Sequence, residues 1–220
     1  MGVSPFVAQV DMRADGRVEK SAGAKVSQVE AAPRGLSFRY EPGTLPFPVT
    51  DEYRKADEFY PVTAKMNVEL LKVSGLPEGE YDLLADGAVL GTISSRRFAE
   101  GVNLALLSTP AAKLALEAWG ISRRLVAVQS RLRALVLTER KVNAKSTDDF
   151  EVVCAKMEKL VQDLKAKGVS TAGYYANNLE TYRKDRQQIE QIRAEEDDIR
   201  RRLAEAAAKK ASYVLTIRRR

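Results

Sequence analysis

The first half of the chain is patterned in short runs that have the period of β-strands. Leu36, Phe38 and Tyr40 are apolar and alternate with polar residues, so one face of a strand over 35–40 is expected to be buried. The run 6–12 is bounded by a turn and has the same character. Runs of this length between turn residues predict a β-rich region.

The run 66–73 predicts another strand. Its apolar residues alternate with Asn67 and Glu69, which are therefore expected on the polar face. The phase of the pattern changes at Leu71 and Val73, so a bulge is expected there.

The Asp86-Gly87 pair separates the apolar runs 81–85 and 88–93. Both residues tolerate the positive φ angles of a type I′ turn, which predicts a β-hairpin. The segment 45–49, Leu-Pro-Phe-Pro-Val, has two residues without a backbone N–H, so we expect a sheet edge or a loop there.

The second half has helical periodicity. A helix is expected to begin at Pro110, capped by Thr109, and to end at Gly120. A helix beginning at 146–149 is expected to end at Gly168, and a last helix to run from about Thr171 to about Lys209. An apolar stripe at steps of three and four indicates a helix between the first two: Ile121, Leu125, Val128, Leu132 and Leu135. Helices of this length predict a hairpin or bundle.

The pattern returns to a strand at residues 212–217, which are rich in β-branched and aromatic side chains. A lone strand is not stable, so it is expected to rejoin the sheet of the first half. The predicted fold is α+β: an antiparallel, sandwich-like β unit, a long helical hairpin or bundle, and a final strand that returns to the sheet. The predicted regions are 1–108, 109–210 and 211–220.

Composition agrees with this division. All eight prolines lie at or before Pro110, and the formal net charge of +6 is unevenly distributed. Residues 1–108 carry 12 Lys and Arg against 15 Asp and Glu, whereas residues 109–220 carry 24 against 15. The helical half is therefore the basic half.

Two absences from the sequence restrict its chemistry. The chain has no His, which excludes a Ser-His or Cys-His nucleophile pair and an imidazole metal ligand within it. Cys154 is the single cysteine, so an intramolecular disulfide and a cysteine-based zinc site are excluded. We expect no cofactor, and no apolar run is long enough to span a membrane.

Two segments carry a resemblance to a known family. They are LKVSGLPEGEYDL at 71–83 and GVNLALLSTP at 101–110, and the Leu-Pro-Phe-Pro-Val element at 45–49 fits the same region. These segments are similar to the region downstream of the catalytic domain in SGNH (GDSL-type) hydrolases. The match is good over about 5–119, weaker over 185–218, and poor between.

The resemblance implies an ester hydrolase, but the residues that perform its chemistry are missing here. The family uses a Ser in a Gly-Asp-Ser block and an Asp-x-x-His pair, and neither block occurs in this sequence. No catalytic residue is therefore assigned, and the chain resembles a C-terminal accessory portion. Its expected partner is an SGNH catalytic domain, in the same polypeptide or a separate one. The exposed face left by a missing domain would also permit self-association.

The sequence does not decide the cellular compartment of the protein. Residues 1–5 lack the basic and apolar segments of a secretory signal, whereas the resembled proteins are often exported.

Asn103 is the most prominent polar candidate in the family-like segment. Its side chain either fixes a turn before the helix that begins at Pro110, which is the favoured interpretation, or contacts a ligand.

Trp119, Tyr53, Phe59 and Tyr60 are candidates for a sugar-stacking platform, as a carbohydrate esterase would need. The alternative is that they pack in the core.

Cations are dense in residues 121–145, where Arg123, Arg124, Arg131 and Arg133 are candidate polyanion contacts. A solvated helix face, or a contact with the catalytic domain, would give the same pattern. Few aromatic residues accompany these cations, so nucleic acid is not the favoured ligand. The acidic run 195–198 lies beside arginines and predicts an exposed helical ladder of ion pairs.

Overall fold

The computed structural model describes residues 6–61, 65–145 and 148–220. The chain divides into two compact units. The sandwich unit comprises residues 1–119 and 206–220, and the helical unit comprises residues 120–205. The predicted helix start at Ser146 and Thr147, and residues 1–5, lie outside the described residues.

The sandwich unit is built from two sheets. Its strands in the described ranges are β1 (Phe6–Arg13), β2 (Val18–Ala22), β3 (Ala24–Ala32), β4 (Gly35–Pro42), β5 (Val68–Ser74), β6 (Glu80–Ala85), β7 (Ala88–Ser94), β8 (Val102–Asn103) and β9 (Tyr213–Arg219). One sheet has the order β2-β1-β5-β8, and the other has the order β3-β4-β9-β6-β7.

The helices in the same ranges are α1 (Asp51–Asp57), α2 (Ser95–Glu100), α3 (Pro110–Lys141), α4 (Phe150–Ala166), α5 (Ala172–Asp185) and α6 (Ile189–Ala208). Two 3-10 turns, Leu104–Leu106 and Arg186–Gln188, precede α3 and α6. The predicted α+β class is confirmed. None of these helices is long and apolar enough to cross a bilayer.

The last strand rejoins a sheet, as predicted. β9 lies between β4 and β6, with Leu215 opposite Phe38 and Ile217 opposite Leu83. The approach is close, because a Cβ at Gly35 would lie 1.8 Å from the carbonyl oxygen of Ile217. The strand β9 therefore occupies the centre of the five-stranded sheet.

The core of the sandwich unit joins residues from both sheets. The predicted inward residues Leu36, Phe38 and Tyr40 are buried, as are Tyr213 and Leu215 on the neighbouring strand. Asp86 and Gly87 have φ angles of 47° and 82°, which confirms the hairpin between β6 and β7.

One strand pairing departs from the antiparallel prediction. β1 and β5 are parallel, with Val10 opposite Leu71. Parallel neighbours need a long crossover, and here the chain passes through β2 to β4 and α1 before it returns. The sequence pattern could not show this, because it reports which face is buried and not strand direction.

The helices also differ from the prediction in two places. Helix α3 continues through Gly120, where an end was predicted, since a helix tolerates one glycine at a cost of about 1 kcal/mol. The predicted last helix is interrupted after Asp185 by a 3-10 turn. The buried carboxylate of Asp185 is held there by a residue of α3, described below.

The helical unit has two apolar clusters. One contains Leu135, Met157 and Tyr182, and the other contains Val128 and Ile192. Their members include the predicted stripe of α3, so the periodicity identified the inward face correctly. Helix α4 begins after the cap Asp149, and Gly168 follows its end with a φ of +64°.

Candidate functional site

Asn103, which is half-buried, is the centre of a hydrogen-bond network in the sandwich unit. Its Oδ1 accepts from the backbone N–H of Glu69 at 3.0 Å and from that of Ala105 at 3.2 Å. Its Nδ2 donates to the backbone oxygen of Asn67 at 3.0 Å. The amide thus fixes the 3-10 turn before α3 and ties it to the start of β5.

Asn67 continues this network to the proline-rich segment. Its Oδ1 accepts from the backbone N–H of Phe47 and its Nδ2 donates to the oxygen of Phe47, both at 2.9 Å. Phe47 lies between Pro46 and Pro48, which have no N–H to offer a strand. A side-chain amide that is 2% exposed therefore replaces strand pairing and holds the backbone of Phe47 in place.

Phe47 is the contact point of an exposed aromatic group. Its ring meets Tyr53 of α1 at a centroid distance of 5.1 Å and Trp119 of α3 at 6.4 Å. Phe59 and Tyr60 directly follow the end of α1, and Met66 directly precedes Asn67. We call this set the aromatic surface: Phe47, Tyr53, Phe59, Tyr60, Met66 and Trp119.

Much of the aromatic surface is in contact with water. Phe59 is 90% exposed, Met66 66%, Tyr60 56% and Phe47 47%. Single exposed apolar residues are ordinary, but a group of large ones on one unit is a feature of interaction sites. Such a surface buries apolar area when a partner covers it.

Helix α1, which carries part of this surface, lies at the surface of the unit. None of its residues is buried. Its capping bond, from the N–H of Tyr53 to Oγ1 of Thr50, and the bond from Arg54 to the oxygen of Leu106 are both 3.5 Å long. A seven-residue helix has little stability of its own in water.

The predicted sugar platform is only partly assembled. Tyr53 and Trp119 are brought together, but through Phe47, which was not among the predicted residues. The rings cross at 84° and 52° instead of lying in one plane, and the Nζ of Lys65 lies over Tyr60 at 4.6 Å. A phenylalanine between two prolines was the signal in the sequence that could have identified the centre of the surface.

A second buried polar group lies inside the sandwich. The hydroxyl of Tyr40 donates to Oε1 of Glu69 at 2.9 Å, and the ring of Tyr40 meets that of Tyr213 edge-on at 5.5 Å. Among the described residues, Oε2 of Glu69 and the hydroxyl of Tyr213 have no hydrogen-bond partner of regular geometry. Two buried oxygens are thus left without the bonds that usually accompany burial.

Burial also changes the ionisation of this group. It raises the pKa of Glu69 to about 7, and the hydrogen bond from Tyr40 opposes this only in part. Burial, together with the nearby charge of Glu69, raises the pKa values of Tyr40 and Tyr213 above the ordinary range. Glu69 is therefore readily protonated near neutral pH.

The predicted orientation of β5 was wrong. Asn67 and Glu69, expected on the polar face, are buried, whereas Met66 is exposed. Glu69 shares its inward face with Leu71 and Val73 without a bulge between them, and the irregular register lies instead on β1 near Phe6. The misassignment arose because hydrogen-bonded polar side chains occupy core positions here.

Arg131, a predicted polyanion contact, has a guanidinium that is already paired with carboxylates. Its guanidinium makes two bonds to the carboxylate of Asp185, at 2.8 and 3.0 Å, and a third to Glu195 at 3.2 Å. The side chain of Asp185 is only 4% exposed. The hydrogen bond from Arg131 holds the pKa of that carboxyl below its usual value, so the ion pair persists at neutral pH.

The other predicted basic residues are on the surface of α3. Arg123, Arg124 and Arg133 are exposed and make no ion pair with any residue that the structure describes. They belong to the helical unit, whereas Asn103 and Trp119 belong to the sandwich unit. The six candidate residues therefore do not form one site within either unit.

The acidic run 195–198 forms the predicted ladder in part. Arg200 pairs with Glu196 at 2.6 Å, and Arg201 pairs with Asp198 and, at 3.0 Å, with Glu205.

The described residues contain no group of His, Cys, Asp or Glu that could hold a metal ion. Cys154 is buried, and burial raises the pKa of its thiol.

Comparison with known proteins gives one informative likeness. No family model matches the sequence, and no curated protein matches it. Among solved structures, a gut microbial diltiazem-metabolizing enzyme, BT4096, is similar to 97% of this chain with a TM-score of 0.78 and 21% identity. This chain corresponds to 50% of the length of that enzyme's chain. At this identity the likeness establishes that the two share a fold.

Proposed function

We propose that this chain is the non-catalytic accessory portion of an ester hydrolase of the SGNH type and packs beside a catalytic domain in the same or another polypeptide. One observation carries the proposal: nearly the whole chain is similar to half of a solved enzyme. The sequence resemblance at 71–83 and 101–110 supplies the hydrolase class, which the shared fold alone does not.

The residue chemistry supports an accessory role. A Ser nucleophile of this class needs a base, and the chain has no His to serve as one. Its most perturbed carboxyl, that of Glu69, is enclosed in the sandwich core and bonded to Tyr40. Asn103, the polar residue of the family-like segment, uses both ends of its amide to hold β5 and the turn before α3. The polar groups of Glu69 and Asn103 therefore stabilise the fold of the sandwich unit.

The proposal is tested with a fluorophosphonate probe, which labels activated serine nucleophiles. Cells that express the gene are treated with a biotinylated probe, and the chain is recovered with an antibody against residues 1–220. We expect labelled hydrolase in the recovered material, as a longer polypeptide or a separate protein. The purified 220-residue chain should remain unlabelled and should not hydrolyse p-nitrophenyl acetate above the buffer rate. Recovered material without label, or saturable turnover by the chain that one Ser→Ala change abolishes, would refute the proposal.

A second candidate is polyanion binding by the helical unit. The exposed and unpaired guanidiniums of Arg123, Arg124 and Arg133 favour it. The test is elution from immobilised heparin with increasing NaCl, with an Arg123→Gln, Arg124→Gln, Arg133→Gln variant as the comparison. A polyanion site requires retention to high salt that the variant loses, whereas a solvated helix face gives weak retention.

A further inference from the structure

We infer that the aromatic surface of the sandwich unit is the place where the catalytic domain docks; this inference rests on the proposed function and specifies its partner surface. The surface is centred on Phe47, which is 47% exposed although both of its backbone groups are bonded to a buried side chain.

The network below the surface holds the backbone of its central residue, Phe47, in place. Asn103 holds the backbone of Asn67, and the side chain of Asn67 holds that of Phe47. Burying an amide costs free energy unless it is bonded, so the buried amide of Asn67 is committed to holding the backbone of an exposed phenylalanine. A backbone that is already held loses little freedom when a partner covers the residue, which favours tight association.

The composition of the surface fits the centre of a protein interface. Aromatic residues and Met are enriched at such centres, and charged residues surround them. Here Arg54 and Lys55 of α1, and Glu58 directly after it, are exposed on the segment that carries Tyr53 and Phe59. Burying a whole aromatic side chain covers about 150–250 Å², and a partner would cover the exposed part of each ring, so the surface supplies the apolar centre of a contact of about 800 Å² per partner.

Two further observations point to a protein domain as the occupant. In the solved enzyme that shares this fold, half of the chain lies outside the similar region, which is length enough for a further domain. Helix α1 has no buried residue, so a covering domain would bury part of a short helix that is otherwise exposed. A sugar ring needs an open flat face, whereas Phe47 meets its neighbours at steep angles and Lys65 lies over Tyr60.

Hydroxyl-radical footprinting tests this inference on the native material recovered from cells. Oxidation of Phe59, Tyr60 and Met66 is compared between the isolated chain and the native assembly. We expect these residues to be protected severalfold in the assembly, while Tyr174 of the helical unit, with a similar exposure of 49%, reacts equally in both. This readout works whether the catalytic domain is in the same polypeptide or a separate one.

A variant distinguishes protection by docking from protection at a distance. Phe59→Ser removes a side chain that is 90% exposed, so it leaves the fold intact. It should weaken association about tenfold or more, or expose Tyr60 and Met66 where the domains are covalently joined. Val89→Ser, at another exposed apolar position of the same unit, should change neither result.

The outcomes separate the two proposals. Fluorophosphonate label with protection supports both. Label without protection means that the catalytic domain is present but docks elsewhere, which overturns this inference and leaves the proposed function. Three other results would assign the surface to another occupant and overturn the inference. They are protection without label, protection through self-association of the purified chain, and saturable binding of an acetylated xylan oligosaccharide at this surface.

Discussion

The two units of the molecule use buried polar groups in different ways. In the sandwich unit, the buried amide of Asn67 and the half-buried amide of Asn103 bond to backbone, and Asn67 holds the backbone of the exposed Phe47. In the helical unit, Arg131 and Asp185 bond to each other and hold helices together. We propose that the first arrangement prepares a surface for a partner, whereas the second stabilises the helical unit itself. On that proposal, a buried polar group points to an interaction surface when its hydrogen bonds lead to exposed residues.

The largest effect is expected from breaking the ion pair of the helical unit. Arg131→Ala leaves the buried carboxylate of Asp185 without its main partner, which should lower the free energy of unfolding by about 3–4 kcal/mol. The measurement is urea unfolding followed by circular dichroism. Arg133→Ala, an exposed arginine on the same helix, should change stability by less than about 0.5 kcal/mol. Equal effects of the two changes would show that the pair has no special role.

A somewhat smaller effect is expected from Asn67→Ala in the sandwich unit. The change leaves the N–H and oxygen of Phe47 without their protein partners, which should cost about 2 kcal/mol. It should also alter the emission of Trp119, the single tryptophan, because that ring packs on Phe47. Asn177→Ala, at an exposed position of α5, is the matched control. Unchanged emission in the Asn67 variant would contradict the role of Asn67 in fixing the surface.

The carboxyl of Glu69 should make the stability of the sandwich unit depend on pH. Its pKa is raised from about 4.5 to about 7 in the folded state. The folded chain therefore binds the proton more tightly, and stability falls as pH rises from about 4.5 to about 7. Glu69→Gln keeps an acceptor for Tyr40 and removes the ionisation, so it should be more stable than wild type at pH 8 by on the order of 1–2 kcal/mol.

Unfolding of both proteins from pH 4 to pH 8 measures this effect. The variant should lose the fall in stability between about pH 4.5 and pH 7 that wild type shows. Glu80→Gln, which removes an exposed carboxyl at the start of β6, should keep the wild-type dependence. The same slope in the Glu69 variant and in wild type would contradict the assignment.

The smallest effect on stability is expected at the aromatic surface itself. Phe59→Ser should change the free energy of unfolding of the isolated chain by less than about 0.5 kcal/mol, because the side chain has little contact with its own unit. Thermal unfolding of the isolated chain measures it. A loss comparable with that of Asn67→Ala would mean that Phe59 belongs to the fold and not to an interface.

Local patterns predicted much of the fold for clear physical reasons. The Asp86-Gly87 turn needs positive φ angles, the alternation at 35–40 reports one buried face, and β-branched and aromatic side chains favour the strand at 212–217. Patterns failed where a long-range contact decides the structure. The last helix breaks after Asp185, whose partner Arg131 lies 54 residues away in the sequence. Helix α3 continues through Gly120, where a glycine alone had suggested an end.

The candidate site was harder to predict than the fold. Asn103 was identified from its setting before a helix, and the interpretation as a residue that fixes a turn agrees with its three hydrogen bonds. Phe47 was missed because an exposed phenylalanine has no periodic signature. Glu69 was assigned to the wrong face because polarity normally indicates exposure, and only its bond to Tyr40, on the other sheet, reverses this.

Peptide mass spectrometry of the fluorophosphonate adduct in the immunopurified native material shows which polypeptide supplies the nucleophilic serine. We expect the adduct on a serine whose peptide lies outside the 220 residues of this sequence, in a protein or segment that is recovered together with it. An adduct on a serine within these 220 residues would contradict the account, because it would show that the chain supplies the nucleophile itself.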